Sequence, residues 1–245
     1  MNIQENNIIG ELVAQDYRAA SVFKKYGIDF CCQGNRTIEE ACEKKNIDTK
    51  KVLEDLVAMM ESKSESTTDY QSWPLDLLAD YIEKKHHRYV QEKTLEIQPY
   101  LDKICKVHGE RHPELLKIKE EFNASAGELA AHMKKEELIL FPFIRKMTQA
   151  KMENIKVDAA HFGTVIYPIQ MMMDEHTVEG NRFRKIEELS NNYTPPQDAC
   201  NTYRVSFSLL KEFEQDLHLH IHLENNILFP KAIEIEKELI YNLYA

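Results

Sequence analysis

From residue 75 onward, apolar side chains recur every three or four positions in four long runs, the spacing that lines one face of an α-helix. Leu75, Leu78, Ile82, Val90, Ile97, Leu101 and Ile104 form the first stripe, which ends near Gly109. The second runs through Leu115, Ile118, Phe122 and Leu129, the third through Ile169, Met172, Met173, Phe183 and Ile186, and the fourth through Phe207, Leu210, Phe213 and Leu217. Arg111-His112-Pro113, an irregular stretch from Gln149 to Pro168, and Asn191-Asn-Tyr-Thr-Pro195-Pro196 separate them. Four amphipathic helices joined in this way predict an up-down-up-down bundle.

Shorter periodic stretches come before the bundle. Ile8, Ile9, Leu12 and Val13 follow the candidate caps Asn6 and Asn7, and Ala19, Val22, Phe23 and Tyr26 lead to Gly27, placed as a helix C-terminal cap. Thr37-Ile-Glu-Glu40 fits a capping box, and Asp48 is placed to cap a helix carrying Val52, Leu53, Leu56 and Val57. These elements predict a small helical domain over residues 1–62, of marginal size for standing alone. A polar, aperiodic stretch makes 63–72 a linker. Residues 73–245 then form the bundle domain, with Ser72 as a cap and Pro74 early in its first helix. The fold class is all-α. Only 7 Gly and 8 Pro in 245 residues agree with long helices and few turns.

The second and fourth stripes are interrupted by the same polar residues. His132-Met-Lys-Lys-Glu136-Glu-Leu-Ile-Leu-Phe141-Pro142 and His220-Ile-His-Leu-Glu224-Asn-Asn-Ile-Leu-Phe229-Pro230 both read His-x3-Glu-x4-Phe-Pro. Residues four apart share a helix face, so each copy presents one imidazole and one carboxylate together. Both pairs fall at inward positions, flanked by Leu129, Ile139 and Leu140 in one copy and by Leu217 and Ile227 in the other. A buried Glu is costly unless it is paired or coordinated, so each copy reads as half of a shared ion site. The third stripe adds His176, with Gly180 one turn later leaving space beside a metal or for a small ligand. The first adds the neighbours His86 and His87, about 100° apart around the axis, so that only one points inward. Periodicity favours His86, which stacks on Ile82.

Four imidazoles and two carboxylates suit two metal ions, each taking two His, with both Glu bridging. The set is too large for one tetrahedral zinc and too rich in nitrogen for calcium or magnesium, and it points to iron, with manganese behind it. Ferritin-like sites use more carboxylate and a Glu-x-x-His spacing.

The other candidate residues have plainer readings. His218 and His222 are expected to face solvent or to support ligands from behind, while His108, His112 and His161 are expected to be capping or surface residues. Met171-Met-Met173 and Cys42 read as core filling. Cys31 and Cys32, in the non-helical connector Ile28-Asp-Phe-Cys31-Cys32-Gln-Gly34, leave two readings open. They are buried structural thiols, or exposed thiols that bind metal or react. Five cysteines without a framework spacing point to a reducing compartment. A formal charge of -10 argues against nucleic-acid or anionic-membrane binding. With no signal-peptide pattern and no apolar run of about 18 residues, the expectation is a cytoplasmic protein with no membrane partner.

Together, the Ile28–Gly34 connector, the two His-x3-Glu-x4-Phe-Pro segments and Asp174-Glu175-His176 resemble the iron-sulfur cluster repair di-iron proteins, the repair-of-iron-centres family. The likeness covers essentially the whole chain and rests on a double-Cys N-terminal domain followed by a hemerythrin-like bundle. It implies two non-haem iron ions with an oxo bridge, held by four His and two bridging Glu. It also implies a role in restoring clusters damaged by nitric oxide or peroxide, with damaged iron-sulfur proteins, nitric oxide and oxygen as partners. The family spacing puts the first ligand 45 residues before His132, at His87 rather than His86. The implied metal ligands are then His87, His132, Glu136, His176, His220 and Glu224, with Cys31 and Cys32 as candidate redox or iron-transfer thiols. The chain departs from the family pattern in a longer segment between Pro142 and His176 and in Gln33, where Gly is expected. The competing functional reading is a hemerythrin-like protein that binds or senses oxygen or nitric oxide, which would need no double-Cys domain. An oxidase would need a proton-delivering side chain that the sequence does not identify.

Overall fold

The computed structural model describes residues 3–62, 68–157 and 160–241; residues 63–67 of the expected linker lie outside them. Among the described residues the regular structure is helical, with two isolated bridges and no strand. Four short helices come first: α1 (Ile9–Gln15), α2 (Ala19–Lys25), α3 (Ile38–Lys45) and α4 (Thr49–Glu61). Three of the boundary signals act as expected. Thr37 and Glu40 form the reciprocal capping box, Asp48 accepts the Lys50 amide, and Gly27 has φ 62°, the left-handed conformation that Gly adopts without strain after a helix. Two signals do not. Asn7 Oδ1 accepts the Gln4 N–H at 2.7 Å and braces the preceding turn, so Ile8 takes the cap position of α1 with no side-chain cap. Ser72 closes a short 3-10 turn capped by Asp69, and Pro74 itself takes the cap position of the next helix.

The bundle consists of α5 (residues 75–108), α6 (114–153), α7 (Ile166–Leu189) and α8 (201–241). α5 packs against α8 and α6, and α6 against α7, which gives the predicted up-down architecture. Three of the four helices widen for one turn into π-helix, at Ile82–His87, Glu136–Leu140 and Glu224–Leu228. Proline explains two of these turns. Pro142 and Pro230 remove an N–H from the ladder and cannot sit against the carbonyl four residues back. The Phe141 and Phe229 amides therefore reach back five residues to the carbonyls of Glu136 and Glu224. The extra residue shifts the helical phase: Leu140 is buried, whereas Ile139, read as inward, is 40% exposed.

Apolar contacts form two clusters along the bundle. One gathers Val90, Leu101, Phe122, Leu129, Phe183 and Phe213; the other gathers Leu78, Ile82, Phe141, Met172, Ile227 and Phe229. On every helix the His and Glu residues lie between the two sets. Ile9, Phe23, Ile38 and Leu56 of the first four helices and Ile28 of the connector after α2 belong to the first cluster, so the marginal N-terminal unit shares its core with the bundle. α1 lies against α8 and its π-turn. Met172 fills core as expected, while Met171 is 51% exposed. No helix among the described residues is long and apolar enough to cross a membrane.

Candidate metal centre

All four bundle helices bring side chains to one layer. His87, His132, Glu136, His176, His220 and Glu224 are each at most 3% exposed. Their ligand atoms form two interlocking sets, His87-Glu136-His220-Glu224 and His132-Glu136-His176-Glu224, each within 4.8 Å internally and each containing both carboxylates. His87 Nε2 lies 3.4 Å from Glu136 Oε2, and His132 Nε2 lies 3.3 Å from Glu136 Oε1. Glu224 mirrors this, with Oε1 at 3.1 Å from His220 Nε2 and Oε2 at 3.1 Å from His176 Nε2.

The adjacent His86 and His87 are both buried, against the expectation that only one could point inward. The π-turn that carries them widens the helix and brings both inside. His87 is the one among the donors. His86, the choice of simple periodicity, faces Asp216 through Nδ1 at 3.1 Å and stacks on the His220 ring, with centroids 5.7 Å apart.

Hydrogen bonds behind the imidazoles set their orientation. His87 Nδ1 faces Glu137 at 3.1 Å, His132 Nδ1 faces Glu175 at 2.8 Å, and His176 Nδ1 faces Asn225 Oδ1 at 2.8 Å. Donation through Nδ1 leaves the Nε2 lone pair aimed into the layer, the state in which imidazole binds metal. The Nε2 atoms of His132 and His176 are then only 3.0 Å apart. Both Glu136 oxygens, Glu224 Oε2 and His87 Nε2 are buried without a hydrogen-bond partner. A buried layer of lone pairs facing carboxylates is costly for protein groups alone, and a cation resolves it. The donor set fits metal.

Considered as protein groups alone, the layer holds protons instead. Burial disfavours charge on His132, but Glu136, Glu224 and Glu175 outweigh it and raise its pKa to about 9. Burial and the neighbouring Glu224 act to raise Glu136, yet His132 and His87 prevail and hold it at about 2. Glu224 is likewise held well below the usual range by His220 and His176, against the effect of burial. His220 differs, because burial outweighs Glu224 and lowers its pKa.

A cavity of about 230 Å³ reaches His132 and His176 between exposed Glu128 and half-buried Lys135, with Glu175 and Glu179 on its walls. Glu179 is 3% exposed, accepts from Ser125 at 2.5 Å and from Arg182 at 3.2 Å, and has a pKa raised by burial.

The connector with the double Cys docks onto the same layer from outside. Cys31 is buried and Cys32 half-buried, and both are free thiols. The Cys32 Sγ donates to the His176 carbonyl at 3.2 Å. Gly180 leaves room for this thiol rather than for a metal or ligand: a Cβ there would lie 2.9 Å from Cys32 Sγ. Asn225 links the two regions, since its Oδ1 accepts from His176 while its Nδ2 donates to the Cys31 carbonyl at 3.1 Å. Asn226 Nδ2 donates to the Phe30 carbonyl at 3.1 Å and lies 2.9 Å from His222 Nδ1.

Several histidines depart from their sequence readings. His222 is buried, neither facing solvent nor supporting a ligand; its ring meets Tyr17 and Phe30, and burial lowers its pKa to about 3. His218 sits edge-on to Phe30, with its pKa lowered by burial to about 4. Both receive the N-terminal domain. His108 is buried rather than at the surface, with Nε2 3.2 Å from Cys200 Sγ. His161 is exposed.

Sequence reasoning missed Glu137, Glu175, Asn225, Asn226 and Asp216. One signal was available. The two copies of the repeat diverge immediately after the Glu, with Glu137-Leu138 in the first and Asn225-Asn226 in the second. Only the second meets the double-Cys connector.

Fold and site define a four-helix-bundle protein with a buried histidine and carboxylate layer suited to cations. The hemerythrin HHE cation binding domain matches residues 78–232, and ScdA_N, a domain of unknown function, matches residues 5–60. The iron-sulfur cluster repair protein YtfE of Yersinia pestis (strain Pestoides F) is 34% identical over 231 residues, 94% of this chain and 98% of the relative. The iron-sulfur cluster repair protein ScdA of Staphylococcus haemolyticus is 30% identical over 229 residues, 94% of this chain and 99% of the relative. The chain belongs to this ScdA/YtfE family of hemerythrin-domain proteins.

Proposed function

We propose that the protein repairs iron-sulfur clusters damaged by nitrosative or oxidative stress, using two non-haem iron ions joined by an oxo bridge. His87 and His220 would hold one ion, His132 and His176 the other, and Glu136 and Glu224 would serve both. The observation that carries this reading is the pair of interlocking donor sets that share both carboxylates. Four His and two Glu, without Cys, suit iron better than structural zinc. When bound, the iron pair supplies open coordination positions for nitric oxide or oxygen and a releasable ion for a damaged cluster.

The protein groups set the terms of that chemistry. Glu137, Glu175 and Asn225 fix the rings of His87, His132 and His176, and the flanking apolar clusters keep bulk water from the layer. Glu175 and Glu128 give the cavity a carboxylate lining that favours the passage of cations toward His132 and His176. Cys31 and Cys32 serve as redox or iron-transfer thiols, a role supported by the Cys32 bond to the His176 carbonyl. Residues 1–62 thus act as a thiol-bearing domain, 63–72 as a linker and 73–245 as the metal-binding bundle, working in the cytoplasm.

A purely oxygen- or nitric-oxide-binding role leaves the docking of the double-Cys connector against His176 without use. The test is reactivation of a nitric-oxide-inactivated iron-sulfur dehydratase by iron-loaded protein. Recovery with the native chain and none with Glu136→Leu supports the proposal, and equal recovery with both contradicts it.

A further inference from the structure

The connector between α2 and α3 gathers three metal-binding side chains that the bundle does not use. Asp29, Cys31 and Cys32 place a carboxylate oxygen and two sulfurs within 4.8 Å of one another. The Cys31 and Cys32 sulfurs are 3.8 Å apart, and Cys31 Sγ is 3.5 Å from Asp29 Oδ1. Both cysteines are free thiols, with their sulfurs at van der Waals spacing. It is the spacing of ligands around one ion. With metal–sulfur bonds of about 2.3 Å and a tetrahedral angle, two thiolates lie about 3.8 Å apart; with a metal–oxygen bond of about 2.1 Å, sulfur and oxygen lie about 3.6 Å apart.

The loop is built to hold that arrangement. Asp29 Oδ1 accepts the backbone amides of Cys31 at 3.2 Å and Cys32 at 2.9 Å, so the carboxylate organises the turn that presents both thiols. Its other oxygen pairs with Arg184 of α7 at 3.2 Å. The Asn225 bond to the Cys31 carbonyl fixes the turn against the bundle. A cavity of about 90 Å³, lined by Asp29, Cys31 and His218 among others, opens beside two of the three side chains.

We propose that Asp29, Cys31 and Cys32 form a third, mononuclear metal site for a thiophilic divalent cation, set against the backbone of His176. Binding replaces two S–H bonds with two metal–sulfur bonds and releases two protons, with no change of oxidation state. Two thiolates and one carboxylate select borderline-soft ions such as ferrous iron or zinc over magnesium and calcium. That the resident ion is ferrous iron passing to or from the bundle rests on the function proposed above; the site itself does not.

The test is an anaerobic titration of the reduced, metal-free full-length chain with cobalt(II). Three equivalents are expected, one of them giving a near-ultraviolet thiolate-to-cobalt charge-transfer band. Cys31→Ser/Cys32→Ser should bind two equivalents with no such band and keep native helicity by circular dichroism. Asp29→Asn, which keeps both sulfurs, should weaken the band-forming equivalent at least about tenfold. Two equivalents and no band in the native chain, or a band that survives in the double Ser variant, would overturn the third site and leave the bundle centre standing. A band with only one equivalent bound would do the reverse.

Discussion

Glu136 and Glu224 each face two imidazoles, and both belong to both donor sets, so the chemistry of the layer depends on them more than on any single His. Titration of His132 exposes this dependence. Its pKa is raised from 6.5 to about 9, with Glu136 the leading cause that overcomes burial. In the metal-free chain the raised His contributes stability that is fully present below pH 6.5 and is lost as pH rises through about 9. Glu136, held at about 2, contributes stability that is present above pH 4.5 and is lost as pH falls through about 2. Metal uptake has the opposite slope to the His term, because a proton must leave His132 before it can bind. Affinity for cobalt(II) at the bundle should therefore rise from pH 6.5 to 9 while the urea midpoint of the metal-free chain falls. Parallel slopes in the two measurements would contradict the assignment. Gly180 gives a second residue-scale outcome. In Gly180→Ala the new methyl would collide with Cys32 Sγ, costing about 1–3 kcal/mol in urea unfolding and speeding alkylation of Cys32.

The π-turns are the elements that set the histidine and carboxylate layer, and the sequence showed them only in part. Each repeat ends in Phe-Pro, and the proline accounts for the widened turn that begins at Glu136 or Glu224. In Pro142→Ala the amide returns and α6 can continue as an ordinary α-helix. The metal-free variant should melt no lower than the native chain but bind cobalt(II) at the bundle at least about tenfold more weakly, because the first repeat's ligands lose their phase. A melting loss with unchanged affinity would show that the proline only packs. A period of 3.6 applied across such a turn misplaces side chains, which is why periodicity set Ile139 inside and chose His86 over His87. The resemblance supplied His87 because it counted residues rather than angles. The four stripes, the capping box at Thr37 and the convergence of the two repeats were all legible, since each depends on local chemistry. Asp216 behind His86 and Glu175 behind His132 were not, because those pairings join helices far apart in the chain.

At the scale of the molecule, the N-terminal unit and the bundle meet along the double-Cys connector. His218 and His222 line this face against Phe30, Asn225 and Asn226 bond to its backbone, and Ile9, Phe23 and Ile28 enter the bundle's own apolar cluster. Residues 1–62 expressed alone should therefore show much less helicity by circular dichroism than they have in the full chain; a stably folded fragment would contradict the shared core. Asn225→Ala removes a bond to His176 and one to the connector, and should weaken metal binding about 10- to 100-fold. In the proposed centre, two carboxylates tie two irons together. Iron analysis of the aerobically purified chain and of Glu136→Leu, with near-ultraviolet absorption and circular dichroism on each, tests it most directly. About two irons per chain with oxo-bridge bands are expected for the native protein, and a helical variant that has lost both. A helical Glu136→Leu protein that still holds two tightly bound irons would contradict it.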